Sequence, residues 1–166
     1  MNAKGFPITG GATWTSYTLD PTSGLLYIPG GNPAPDFVNT YREGANLLTG
    51  SVVVLDAKTG AYQRHFQIAP RDFHDWDEST APLLFTTRAG QRMMAVAPKD
   101  GHLYGFDLFS NEMRYRKPET AISNVNAPLT TQGTRFCPGS QGGASGRQDG
   151  FLQDERALRW ASLPAL

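Results

Sequence analysis

The sequence predicts an all-β chain assembled from short antiparallel meanders. Two observations carry this. The 166 residues include 18 Gly, 12 Pro, nine Phe and six Tyr, a mix that suits turns and strands better than helices. Short apolar runs also alternate with turn residues, and no stretch before residue 150 keeps a helical period.

The elements follow in order. TWTSYTLD (13–20), the turn PTSG and LLYIPG read as strand, turn, strand. SVVVLD (51–56), AKTG and AYQRHFQ repeat that arrangement, as do PLLFTT (82–87), RAGQ and RMMAVAP. HLYGFD (102–107) follows the turn KDG. Gly24, Gly60 and Gly101 sit where such turns need a positive φ. Three units share one design: YTLDPTSG (17–24), VVVLDAKTG (52–60) and YGFDLFSNE (104–112). In each, an Asp closes the apolar run and can accept hydrogen bonds from turn N–H groups, while a Gly or Asn four residues later tolerates the left-handed region.

Taking Asp20 to Asp56 as one period of about 40 residues gives the spacing of a β-propeller blade, a four-stranded antiparallel meander repeated around an axis. At roughly 40–50 residues per blade the chain holds about three to four blades. Closed propellers usually have about four to eight, so the expectation is a β-propeller fragment or a very small propeller. The longer gap from Asp56 to Asp107 leaves room for the loop RDFHDWDEST (71–80). ASGRQDGFLQDERALRWASLPAL (144–166) lacks the strand–turn–strand pattern, and a short amphipathic helix with Leu152, Leu158 and Trp160 on its apolar side is expected there. The chain therefore divides into 1–143, the partial propeller, and 144–166, a tail of different texture.

Lys+Arg and Asp+Glu both number 15. No basic stripe argues for nucleic acid and no acidic tail for a solvating segment. Cys137 is the one cysteine, so no disulfide forms within the chain. No apolar run approaches the roughly 20 residues that cross a bilayer. The opening MNAKGFPITGG lacks the apolar core of a secretory signal.

Four positions invite a chemical reading beside a structural one. Trp14 is a packing residue or a flat wall for a planar ligand. GGNPAP (30–35) is a turn, or it presents the Asn32 amide oxygen, a hard donor of the kind Ca2+ accepts, with Pro33 holding Asn32 extended. Asp77 is a solvated turn acid or a general base. Lys99 is an exposed turn lysine, or its ammonium stabilises an anionic oxygen on a reduced cofactor. His65, His74 and His102 have no zinc-ligand spacing, and the cysteine is remote.

The ordered series GGATWTSYTLD, GGNPAP, PRDFHDWD, APKDGHLYGFD and FCPGSQGG (136–143) resembles the pyrroloquinoline quinone (PQQ)-dependent alcohol dehydrogenases, which include methanol dehydrogenase. The resemblance runs from about residue 4 to 143. It implies an eight-bladed propeller with PQQ and a metal ion near the axis, of which this chain is an internal piece. By the resemblance, Trp14 carries the quinone ring, Asn32 gives its amide oxygen to the metal, Asp77 is the base beside the metal, and Lys99 bonds the ortho-quinone oxygens. It further implies oxidation of a small alcohol to an aldehyde or ketone in the periplasm, with cytochrome c or a quinone as electron acceptor. The lanthanide-using branch carries a second acid two residues after the base. Ser79 stands there, which favours Ca2+ over a lanthanide.

The sequence also departs from the family. Arg64 stands where a Trp packs between blades. The family's metal-binding Glu and vicinal cysteine pair, from earlier blades, have no counterpart before residue 14. Nor is the downstream partner of Cys137 present. After FCPGSQGG the family continues with a small residue, Glu, Trp and a polar residue. Ala-Ser-Gly-Arg, encoded as GCG AGT GGC AGG, contains Glu-Trp-Gln in another frame. A frameshift near Ala144 is the expectation. The alternative function is a non-catalytic, WD-repeat-like propeller that binds proteins, since VVVLDAKTGAYQRHF also suits such a blade.

Overall fold

The computed structural model describes residue 5 and residues 9–143. Strands β2 (Thr18–Asp20), β3 (Leu25–Pro29), β5 (Ser51–Asp56) and β6 (Tyr62–Gln67) form one antiparallel sheet in the order β2-β3-β5-β6. Strands β7 (Leu83–Thr86), β8 (Arg92–Val96), β9 (His102–Asp107) and β10 (Met113–Pro118) form a second, in the order β7-β8-β9-β10. A short ribbon pairs β1 (Thr9–Gly10) with β4 (Pro33–Ala34). The described residues contain no helix, and hence none long and apolar enough to cross a membrane.

Each four-stranded sheet is a blade, and the all-β propeller expectation holds. The described residues complete two blades, fewer than a period of about 40 residues implies. The Asp20 and Asp56 turns join β2 to β3 and β5 to β6 within one sheet. The equivalent positions in successive blades are Asp56 and Asp107, roughly 50 residues apart. The long connections 30–50 and 68–82, and the segment 119–143, use chain that a shorter repeat would place in strands. The strand expected from residue 13 begins only at Thr18. Residues 11–17 form an irregular segment in which the Thr13 and Tyr17 hydroxyls lie 2.7 Å apart. β10 was not legible in MRYRKP, since Met113, Arg114, Arg116 and Lys117 are all exposed on this outer strand. The expected helix and frameshift fall in 144–166, outside the described residues.

Alternation along the strands builds the core between the blades. Tyr27, Val52, Val54 and Phe66 of the first blade meet Met94, Val96, Tyr104 and Phe106 of the second in one buried cluster. The Phe66 and Phe106 rings cross at 5.1 Å and 60°, within the range of favourable tilted aromatic pairs. Polar contacts tie the same interface. Arg92 Nη2 lies 2.8 Å from Asp20 Oδ2, and Thr18 Oγ1 donates to the Pro82 carbonyl at 2.6 Å. Arg64 Nη1 donates to the Leu108 carbonyl at 2.7 Å, so a second cation spans the blades. At the matching place in the second blade Tyr115 lies over Gly105, where a Cβ would come within 2.1 Å of the ring. Truncating Phe66 to Ala is expected to cost about 3–4 kcal/mol in urea denaturation. A loss below about 1 kcal/mol would place Phe66 outside the core.

The three Asp turns share their geometry. Asp56 Oδ1 accepts from the Lys58 and Thr59 N–H groups at 3.1 and 2.7 Å. Asp107 Oδ1 accepts from Phe109 and Ser110 at 2.8 and 3.0 Å, and Asp20 Oδ1 from Thr22 at 3.1 Å. Gly24, Gly60 and Asn111 close the turns at φ 71°, 74° and 64°. The Thr59 hydroxyl and amide hold the Asp56 carboxyl below its ordinary range, and the Ser110 and Phe109 amides do the same for Asp107. At Asp20 burial pushes upward but is outweighed by Ser23, Thr22 and Arg92. Because the folded values are depressed, the stabilisation is complete above the unfolded value near 3.8 and is lost as pH falls through the folded values. The difference in urea midpoint between the wild type and Asp56→Asn should therefore stay constant down to about pH 5 and shrink below it, the variant losing less. Equal slopes in the two proteins would contradict this.

Candidate functional site

The site grows from the connection after β3. Gly30, Gly31 and Asn32 run as an extended central segment. Gly31 N–H donates to the Ala12 carbonyl at 2.9 Å and Gly30 N–H to that of Ser51 at 2.8 Å. The Asn32 carbonyl accepts from Gly11 and the Gly31 carbonyl from Gly50, both at 2.8 Å. Gly31 is required by space: a Cβ there would sit 2.8 Å from Asp77 Oδ1 and 3.0 Å from the Ala12 carbonyl.

The loop 71–80 lays Asp77 against this segment. Asp72 organises the loop by accepting from the His74 N–H at 3.0 Å and the Trp76 N–H at 2.9 Å. His74 stacks on Trp76 at 3.9 Å, takes the edge of Phe136 at 4.7 Å, and places Nδ1 3.3 Å from Asp72 Oδ1. This histidine is a packed support for the loop. Asp75 adopts φ 63°, so the chain bends and Asp77 points inward. Asp77 is 5% exposed. Its Oδ1 accepts from the Asn32 N–H at 2.8 Å, and its Oδ2 lies 2.5 Å from Lys99 Nζ.

Lys99 arrives from the turn after β8, its N–H donating to the Asp77 carbonyl at 3.1 Å. Its Nζ is also 3.6 Å from Asp75 Oδ2 and 5.8 Å from the centre of the Trp14 ring, within cation–π reach. Trp14 is 50% exposed, so ring surface remains open. Burial raises the Asp75 carboxyl, an effect Lys99 opposes and Asp77 and Asp36 reinforce. Glu78 points into the interior at 1% exposure. Burial pushes its carboxyl well up, with Asp100 adding to the effect, so next to Asp77 stands a second acid favoured in its neutral form.

The four residues singled out from the sequence are thus joined through Asp77 and Lys99. Asn32 touches Asp77 through its backbone, and Lys99 bridges Asp77 to Trp14. Sequence reasoning missed Asp36, Arg42, Asp72 and Glu78. Only the compact spelling NPAPD hinted at Asp36. Ser79 is 1% exposed, and its Oγ has no hydrogen-bond partner among the described residues. Among those residues no three of His, Cys, Asp and Glu converge on a metal position. Asn32 and Asp77 are two hard oxygen donors, and Ca2+ takes about six to eight, so these residues fit part of a Ca2+ shell.

Two four-stranded antiparallel blades carry this group of amide, carboxylate, ammonium and indole. The β-propeller domain of glucose/ethanol/alcohol dehydrogenases, the PQQ family, matches residues 2–110, and the chain belongs to that family. It is 37% identical over 111 residues to the dehydrogenase subunit of the quinone alcohol dehydrogenase of Acetobacter aceti, covering 62% of this chain and 15% of that protein. The corresponding subunit of Gluconobacter oxydans (strain 621H) is 34% identical over 130 residues, covering 73% and 17%. The chain therefore spans less than a fifth of the length of these relatives. Among solved structures, the quinohemoprotein alcohol dehydrogenase from Comamonas testosteroni superposes with a TM-score of 0.68 at 26% identity, covering 80% of this chain and 22% of that one. A europium-containing methanol dehydrogenase shares the fold, with a TM-score of 0.70 at 21% identity.

Gly31→Ala is expected to lower stability by about 1–3 kcal/mol by forcing Asp77 and residues 11–12 apart. Chemical denaturation reads this directly, and an unchanged midpoint would mean the packing at Gly31 is looser than described.

Proposed function

We propose that residues 11–99 carry one side of a PQQ- and Ca2+-dependent alcohol dehydrogenase site. The observation that carries this reading is the Asp77 carboxylate, shared between the Asn32 N–H and the Lys99 ammonium with the Trp14 ring alongside. When bound, PQQ supplies the hydride acceptor, and Ca2+ supplies Lewis acidity. Trp14 offers an open aromatic face to a planar ring. Asn32 Oδ1 and Asp77 supply oxygen donors to the cation. Asp77 takes the hydroxyl proton of the alcohol on a carboxylate oxygen, and the Asn32 N–H holds its geometry. Lys99 would supply an ammonium to negative charge on the bound cofactor. Ser79 adds no second carboxylate near Asp77, which supports Ca2+ over a trivalent lanthanide. The family reading also proposes a small alcohol as substrate, cytochrome c or a quinone as electron acceptor, and the periplasm as location.

With two donors and one aromatic wall, the chain alone is expected to bind PQQ weakly and to show no turnover. The test is a PQQ titration followed by tryptophan fluorescence, with and without Ca2+. Weak quenching that Ca2+ strengthens is expected. Asp77→Ala should abolish the Ca2+ effect, and Trp14→Ala should remove most of the quenching. A WD-repeat-like binding module predicts a PQQ response unaltered by either substitution. Dye-linked alcohol oxidation at an ordinary enzymatic rate would refute the inactivity of the chain alone.

A further inference from the structure

The Asn32 side chain is held by one end only. Its Nδ2 donates to Asp36 Oδ1 at 2.5 Å and to the Pro33 carbonyl at 3.3 Å. Carbonyl and carboxylate oxygens only accept. Turning the amide over would set its oxygen against two oxygens. The nitrogen end is therefore fixed, and Oδ1 receives no hydrogen bond among the described residues. The loop that carries Asp36 is itself clamped. Arg42, 8% exposed, donates to the carbonyls of Pro35 at 3.1 Å and Val38 at 2.5 Å, on either side of Asp36. It also donates to the Asp72 carbonyl at 2.9 Å. One guanidinium thereby ties the Asp36 loop to the loop that bears Asp77.

We propose that Asp36 is a positioning residue: by gripping Asn32 Nδ2 it keeps Asn32 Oδ1 free as a cation donor. The cation part rests on the proposed function; the orientation of the amide stands on the hydrogen bonds alone. A partner of this kind around a metal ligand typically alters metal affinity by about 10–100-fold.

The test uses the full 15N-labelled chain, with the Asn32 side-chain NH2 pair identified by its loss in Asn32→Ala. Without metal, one proton of the pair is expected downfield of its position in Asp36→Ala. Asp36→Ala should bring the pair back to ordinary separation and weaken Ca2+ binding, measured by calorimetry with PQQ present, by about tenfold. Asp36→Asn, whose side-chain oxygen still accepts, should recover part of both effects. Asn32 signals unmoved in Asp36→Ala overturn the grip. A moved signal with Ca2+ affinity intact overturns its role in cation binding. If the wild-type chain binds no Ca2+, the proposed function and the cation role fall together, while the amide signal still decides the orientation.

Discussion

The Asp77 carboxylate is the point on which the candidate site depends. It is nearly buried, and a buried carboxylate is costly unless its oxygens are satisfied. The Asn32 N–H satisfies one oxygen and the Lys99 ammonium the other. Those two partners come from separate connections, after β3 and after β8. Pairing one side chain therefore aligns two loops from two blades. Gly31 makes the approach possible, because a Cβ there would sit 2.8 Å from Asp77 Oδ1.

The blades supply the stiffness that this junction needs. Apolar side chains between the sheets set their spacing, and the Arg92–Asp20 pair and the Arg64 contact to Leu108 add direction to that packing. The long connections 30–50 and 68–82 lie on this frame and are fastened to each other by Arg42. A loop held at several carbonyls by one planar cation loses little entropy per hydrogen bond formed. Positioned loops on a rigid scaffold are where chemistry usually resides.

Much of this was legible in the sequence. Seven of the strands in the two blades followed from apolar runs closed by turn residues. The Asp turns behaved as their chemistry requires, down to Asn111 in the left-handed region. The assignment of Asp20 and Asp56 to successive repeats failed, because equal turns recur both within a blade and between blades. β10 was hidden because an outer strand exposes both faces of its charged residues. At the site, Trp14, Asn32, Asp77 and Lys99 were reachable through the ordered motifs. Asp36 and Arg42 were not, because their partners are mostly backbone carbonyls or a local amide, and such contacts leave no periodic signal. Glu78 looked like one more acid in a charged loop. Its environment is set in part from far along the chain: Asp100 adds to the upward push that burial gives its carboxyl.

The central claim is that Trp14, Asn32, Asp77 and Lys99 serve one ligand site. A crystal structure of the chain soaked with saturating PQQ and Ca2+ tests it most directly. The account predicts a planar ligand against Trp14 and an ion in contact with Asn32 Oδ1 and Asp77, with Lys99 withdrawn from Asp77. Ligand and ion bound elsewhere, with the Asp77–Lys99 pair intact, would contradict it.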